Sequence, residues 1–325
     1  MNHRQRLEAC IAGKAIDRPP VALWRHFPVD DQDPKTLAGA ILDFQSSFDF
    51  DFVKVTPASS FCVRDYGVLD AWRGNPEGTR DYLEYPIKNP AGWLDLFRLN
   101  TGEGHLGDQL TSLRMIMNEI DENTPVIQTI FNPMSQAKNL VGREQLLVHM
   151  RQNPRELLAG LEVLTDNTVR YVQECTKLGI EGIFFAIQHA QSSLLTEDEI
   201  DTFLLPFDNR IIEAASLLWL NVMHLHGKDI YFEKIPKSGF SVVNWHDQET
   251  PPTLQAGKSL FSGAVCGGLK QWETLVYGSP SNVSTEAQEA IQATGGERFI
   301  LGTGCVLPII APRSNILAAR TAVDG

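Results

Sequence analysis

The order of elements predicts a (β/α)8 TIM barrel of the α/β class. Three observations lead there. Eight short apolar runs with strand character recur along the 325 residues, and stretches with helical periodicity separate them. In addition, the first run lacks the glycine-rich fingerprint that opens a doubly wound sheet: Val21–Trp24 continues into Arg25-His26-Phe27-Pro28.

Taken in order, the second strand is Phe52–Val55. Residues 56–124 are then too long for one helix and two loops. They carry Trp72, Gly74, Pro76, Tyr82, Tyr85, Pro86 and Trp93, which predicts an ordered excursion between strands 2 and 3 that covers one end. Strand candidates Val126–Phe131 and Gly182–Ile187 follow. Between them, Leu161, Leu164, Tyr171, Val172, Cys175 and Leu178 recur on one helical face. Thr196 and Glu199 have capping-box spacing, ahead of a helix holding Ile200, Phe203 and Leu204. The remaining strands are expected at Val222–His226, Phe240–Trp245, Leu260–Val265 and Phe299–Leu301, with Ser314 capping a last helix. Because there is no repeat, low-complexity tract or flexible linker, residues 1–325 are expected to form a single domain.

Composition narrows the function. The chain is 43% hydrophobic and 21% charged, with a net charge of −12. That acidity argues against nucleic acid, whose phosphates need clustered Lys and Arg. It also disfavours a strongly anionic substrate, because no local run of basic residues is visible. The N-terminus lacks the apolar core of a signal peptide, and no run approaches the ~18 apolar residues of a membrane span. Five scattered cysteines (10, 62, 175, 266 and 305) are not a disulfide framework and fit a reducing cytoplasm.

The chemistry-bearing residues gather at the predicted C-terminal ends of strands, where barrel enzymes build their sites. His224 and His226 are two apart at the end of one strand, so both imidazoles point to one face. Cys305, after the last strand, supplies a third donor, with Cys266 in reserve. Two histidines and a cysteine leave one zinc position open, which is the mark of a catalytic rather than a structural site. Arg25, His26, Asn132, Gln188, His189 and His246 also fall at strand ends. Singly, each of these histidines is an ordinary packed or surface residue; together they make a polar cluster. Gly267, Gly268, Gly302 and Gly304 allow a rival reading as a phosphate loop, with only Lys270 and Arg313 near as cations.

Several segments resemble the uroporphyrinogen decarboxylase family. They are Arg4-Gln5-Arg6-Leu7 through Gly13, Asp17-Arg18-Pro19-Pro20-Val21, Phe52 to Pro57, Asn132-Pro133-Met134, His224-Leu225-His226-Gly227, and Leu301 to Cys305 with Pro308, Pro312 and Asn315-Ile316. The likeness covers nearly the whole chain and implies the same barrel. Four departures point away from porphyrinogen decarboxylation. The Arg-Gln-Ala-Gly-Arg motif is Arg25-His26-Phe27-Pro28-Val29. No aspartate stands within Thr56 to Ser60, and no tyrosine within Gln136 to Asn139. Thr303 replaces a histidine.

The corrinoid-dependent methyltransferases of the family are more similar. Their His-x-Cys-Gly motif matches His224 to Gly227 with His226 in place of cysteine, and their late Gly-Cys matches Gly304-Cys305. The resemblance implies zinc on His224, His226 and Cys305. It also implies methyl transfer between a small molecule and a corrinoid (cobalamin) on a partner protein, and a homodimer. Under it His26, His189 and His246 are catalytic, and Arg25, Gln188 and Asn132 bind substrate. Two alternatives stay open: a metal-free decarboxylase-like enzyme acting on a tetrapyrrole or other acid, and a non-catalytic partner of a corrinoid protein.

Overall fold

In a computed structural model, which describes residues 1–324, the chain folds around a curled parallel sheet. Helices α1 (His3–Ile11) and α2 (Pro34–Phe48) precede β1 (Val53–Val55). The segment that follows holds an antiparallel pair, β2 (Leu69–Ala71) and β3 (Asp81–Glu84), and then α3 (Gly104–Glu119). The chain continues through β4 (Val126–Phe131), α4 (Pro133–Val141), α5 (Arg143–Gln152), α6 (Pro154–Lys177) and β5 (Gly182–Ile187). Next come α7 (Glu197–Phe203), α8 (Leu205–Ala214), β6 (Val222–Leu225), β7 (Val242–Trp245) and α9 (Leu254–Leu260). The last elements are β8 (Ala264–Leu269), α10 (Pro280–Thr294), β9 (Phe299–Thr303) and α11 (Arg313–Thr321).

The sheet order is β1-β4-β5-β6-β7-β8-β9, all pairs parallel. From β4 to β9 every strand residue is buried, as expected for parallel strands covered on both faces. Prolines stand in the first turn of α2, α4, α6, α8 and α10, where a missing N–H costs nothing. Among the described residues no helix is long and apolar enough to cross a membrane.

Strands β4 and β5 lie at their predicted bounds, and the Thr196–Glu199 capping box forms as expected. Three expectations need correction. Val21–Trp24 is not a full strand: Val21 alone bridges Leu301, and prolines 19 and 20 bring no N–H to a ladder. The Ala22 N–H still donates to Leu301 (3.0 Å) and the Asp51 N–H to Val21 (2.9 Å), so this segment bonds to β9 on one side and to the lead-in of β1 on the other. The run Leu260–Val265 is misplaced, since α9 consumes Leu260 and the strand begins at Ala264. Ser314 is not a cap; Pro312 takes that position and Ser314 sits inside α11.

The shift of β8 removes the phosphate-loop reading. Gly267, Gly268 and Gly302 lie within strands. A Cβ on Gly267 would lie 2.4 Å from an Asp247 carboxylate oxygen, and the Gly268 N–H donates to the same carboxylate. An acid already fills the place a phosphate would need.

Candidate metal centre

The site begins with strand register. His224 on β6 pairs with Asn244 on β7, and Leu225 with Trp245. One residue beyond each strand stand His226 and His246, side by side. The His226 N–H still donates to the Ile187 carbonyl (3.0 Å), which extends the sheet's alignment past the formal end of β6. Cys305 arrives from the loop after β9. Gly304 makes that approach feasible, because a Cβ there would lie 2.7 Å from His246 Cα and 2.8 Å from the Trp245 carbonyl oxygen.

Four donor atoms converge. The Cys305 Sγ is 3.8 Å from His224 Nε2 and 3.7 Å from His226 Nδ1, and His226 Nδ1 is 3.2 Å from His246 Nε2. One donor from each of these four residues lies within 4.8 Å of all the others. A zinc ion with Zn–N near 2.05 Å and Zn–S near 2.3 Å would set tetrahedral edges of about 3.3 Å (N···N) and about 3.6 Å (N···S). The three contacts match those edges, so the donor set fits such an ion.

The tautomer of His224 is fixed by its neighbour. Both N–H groups of Asn244 are taken, donating to the Cys266 and Thr303 carbonyls at 2.9 Å each. Its oxygen therefore faces His224 Nδ1 at 2.7 Å and accepts the ring N–H. That leaves a bare lone pair on Nε2, facing Cys305, as the hydrogen-bond partners of metal-bound histidines do. An Asn244→Leu variant is expected to bind zinc roughly 10- to 100-fold more weakly, read by competition with a chromophoric chelator; unchanged affinity would remove this role.

Electrostatics prepare the same donors. Burial, helped by its two imidazole neighbours, holds His224 well below its ordinary pKa. Burial and His246 push His226 down to about 3; burial lowers His246, with Glu249 opposing. All three rings are held towards the neutral form, which leaves a lone pair a metal could take. Burial pushes the Cys305 thiol up to about 11, so an unliganded site keeps its proton.

His224, His226 and Cys305 line a cavity of about 390 Å³. Its walls include Trp24, Phe131 and Phe184, with Tyr82 and Tyr85 from the β3 region. His26 and Gln188 are on the wall as well. His26 is held at about 3 by burial with Lys54 and Arg80 near. The other candidates lie elsewhere. Arg25 lies over the rings of Phe27 and Phe44 in a separate surface hollow. Asn132 caps α4 and donates to Asp208, fully buried. His189 is buried, held down at about 3, and does not line the cavity. Cys266 is sealed inside β8 facing Gly302 and is not in the donor cluster.

Sequence reading missed a basic lining. Lys54, Arg80, Lys138 and Arg143 line the cavity against one carboxylate, Glu77. Arg80 is paired with Asp31 and Asp70. Among the described residues Lys54, Lys138 and Arg143 have no carboxylate within 4.0 Å. Burial drives Lys54 down to about 7, and burial with Arg143 drives Lys138 to about 8.

A curled parallel sheet with a histidine–cysteine cluster at its strand ends defines a barrel-like α/β protein with a candidate catalytic metal site. Its family follows from comparison: the model described as uroporphyrinogen decarboxylase (URO-D) matches residues 66–325, and the chain belongs to that family. Its relatives lie on the methyltransferase side. The methylcobamide:CoM methyltransferase MtbA of Methanosarcina acetivorans is 20% identical over 239 residues, 72% of this chain and 68% of that protein. A methylated-thiol–coenzyme M methyltransferase of Methanosarcina mazei is 23% identical over 217 residues, 66% of this chain and 57% of that one. Among solved structures, a methyltransferase from Methanosarcina mazei superposes with a TM-score of 0.85 at 17% identity, covering 99% of this chain and 98% of that one. A B12-independent methionine synthase from Shewanella sp. W3-18-1 gives 0.61 at 13% identity, over 93% and 91%.

Proposed function

We propose that this chain is a zinc-dependent methyltransferase that moves a methyl group between a small molecule and a corrinoid on a partner protein. The observation that carries the reading is the donor cluster, three of whose members open onto one cavity. The name of one relative, a methylcobamide:CoM methyltransferase, supplies the corrinoid. The reading takes the sheet as a (β/α)8 barrel with residues 20–22 as its eighth member, in one domain of 1–325. It includes a cytoplasmic location and a homodimer.

His224 Nε2, His226 Nδ1 and Cys305 Sγ would hold the metal, with His246 Nε2 within reach. A bound zinc supplies Lewis acidity, keeping a thiol deprotonated near neutral pH or polarising a leaving heteroatom. Trp24, Phe131 and Phe184 keep water from the reacting atoms, and Asn244 holds His224 in its productive tautomer. His26 and Gln188 position the substrate from the wall.

Arg143, Lys138 and a part-protonated Lys54, all without acid partners, favour a substrate with an anionic group. Lys138, held by Gln188 at 2.9 Å, is the best placed to receive it. Lys138→Met is expected to raise KM for an anionic thiol about tenfold, near 1.4 kcal/mol, with kcat within about twofold. A neutral thiol should show no change. Arg25 faces a different hollow, so an acid substrate of the metal-free alternative would meet Arg143 rather than Arg25.

The deciding experiment is metal analysis of tag-free protein followed by turnover. About one zinc per chain, with methylcobalamin consumed in the presence of an anionic thiol, supports the reading. Zinc-loaded protein that neither demethylates methylcobalamin nor methylates cob(I)alamin would remove it.

A further inference from the structure

The cavity wall sets four Lys and Arg side chains against a single carboxylate, Glu77, and an anionic substrate has no use for that acid. A thiol that reacts at the donor cluster must lose a proton, and the cluster cannot take it once its lone pairs hold a metal. We infer that Glu77 is the general base that takes the substrate proton and passes it to solvent. The inference rests on the zinc reading above and names where that proton goes.

Fixed backbone brings Glu77 to this wall. Its N–H donates to Asn75 Oδ1 (2.9 Å), and the Gly78 N–H donates to the Asn75 carbonyl (2.9 Å). The Pro76 carbonyl accepts the Ile309 N–H at 2.8 Å, which ties this turn to the loop that carries Cys305. Gly78 lets the turn seat closely: its φ is +77°, and a Cβ there would lie 2.5 Å from the His26 Cβ. From the other side, the Trp272 indole N–H donates to Glu77 Oε1 at 3.1 Å. Among the described residues Oε2 has no partner, and it is not sealed from solvent. One oxygen is held and the other is open. Burial sets the raised Cys305 thiol and the lowered His246 ring; behind it Glu77 pushes both upward, so its charge reaches the cluster.

The other groups on the wall are less suited. A guanidinium has no lone pair to offer, which removes Arg80 and Arg143. Lys138 donates to Gln188 at 2.9 Å, and the Tyr82 hydroxyl meets Ser59 at 3.0 Å. Burial holds His26 at about 3, which makes it a weak base. Lys54 is the strongest rival. Its Nζ lies 4.5 Å from the Phe184 ring centroid and donates to Thr56 at 3.2 Å, in a buried position. A proton taken there stays away from water, whereas half-buried Glu77 meets it. In the step the S–H bond breaks with its electron pair left on sulfur, and an O–H bond forms at Glu77 Oε2. The carboxylic acid then gives the proton to a solvent water. Run backwards, the same acid protonates a leaving thiolate.

The test is stopped-flow proton release with an indicator dye at about pH 6.5, where a free thiol keeps its proton. Zinc-loaded full chain is mixed with saturating 3-mercaptopropionate. Wild type is expected to release about one proton per zinc, in a fast phase. Glu77→Gln should hold the same zinc and release the same number of protons about a hundredfold more slowly. Glu77→Ala should be equally slow and regain speed with added formate, a small carboxylate that fits the vacated space. Lys54→Met should stay within about twofold of wild type, because removing a group that is not the base forfeits none of the general-base rate factor. Unslowed release in Glu77→Gln would overturn the inference. So would a slow phase in Lys54→Met alone, a Glu77→Ala protein that formate does not speed, or no proton released by the wild type. Each of these leaves zinc binding standing, and failure to hold zinc at all would overturn both.

Discussion

Cys305→Ala protein is expected to retain less than about a tenth of the wild-type zinc and to lose methyl transfer by roughly a thousandfold or more, a barrier change of about 4 kcal/mol. His224→Ala should follow, with a smaller loss of metal. The order comes from charge. The donor set has three neutral imidazoles and one thiol, so a thiolate on Cys305 is its single negative charge. Without it, a dication would rest among neutral donors beside a cavity whose lining holds one carboxylate, Glu77. Burying uncompensated charge is costly. Removing His224 takes away one donor but leaves the charge balance intact. The measurements are zinc per chain by elemental analysis, and turnover of methylcobalamin, with circular dichroism to confirm folding. Stoichiometric zinc in both variants would sink the site.

The legible part of this centre was the part that single strand ends show: the His224 and His226 pair, and Cys305 after the last strand. His224 lies in β6 and His226 one residue past its end, and the two-residue period of extended chain is visible in any sequence. His246 was legible as a strand-end residue but not as a donor. Its place beside His226 depends on the pairing of Leu225 with Trp245 between two strands, and no spacing rule in one chain encodes that register. A signal was present in retrospect: two adjacent parallel strands, each followed directly by a histidine.

The basic lining was hidden for a stronger version of the same reason. Lys54 comes from β1, Lys138 from α4 and Arg143 from the start of α5, so no basic run exists to be seen. The global charge of −12 pointed the other way. Glycines misled in a different manner. Gly267 and Gly268 read as a turn, yet they are strand residues kept small because Asp247 and Ala290 press against them. Asn132 read as a strand-end binding residue and is a helix cap, since its side chain accepts from the Ser135 N–H at 3.0 Å.

Asp51→Ala is expected to destabilise the fold by about 3–5 kcal/mol, the range for breaking a buried ion cluster. Its carboxylate is fully buried where residues 20–22 meet β1. The Arg6 and Arg18 guanidiniums donate to it at 2.7 and 2.8 Å, the Val21 N–H at 2.7 Å, and His3 Nδ1 lies at 3.0 Å. The Asp51 N–H donates back to the Val21 carbonyl. One residue therefore does the work of a missing strand ladder, and it joins α1 to the sheet. Alanine would leave the Arg6 guanidinium with Asp17 alone and the Arg18 guanidinium with the exposed Asp324 alone. Asn should cost less, since it keeps an acceptor for Val21. The pH dependence has a definite sign. Burial alone would raise this carboxyl, but His3 and Arg18 overcome it and hold it at about 2, below the ordinary 3.8. A depressed acid contributes stability that is present above 3.8 and lost as pH falls towards 2. His3 is raised, chiefly by its bond to Asp51, so its share is complete below 6.5 and fades as pH rises through its folded value. Denaturant midpoints measured from pH 2 to 8 should show a steep acid limb in the wild type. In Asp51→Ala that limb should flatten; an acid limb of the same steepness would place the acid sensitivity elsewhere. The same clasp sets the start of the segment that delivers Trp24 and His26 to the cavity wall. Asp51→Asn, if folded, is therefore expected to keep most of its zinc affinity while its substrate KM rises, because three of the four donors, His224, His226 and His246, stand at β6 and β7, away from this seam.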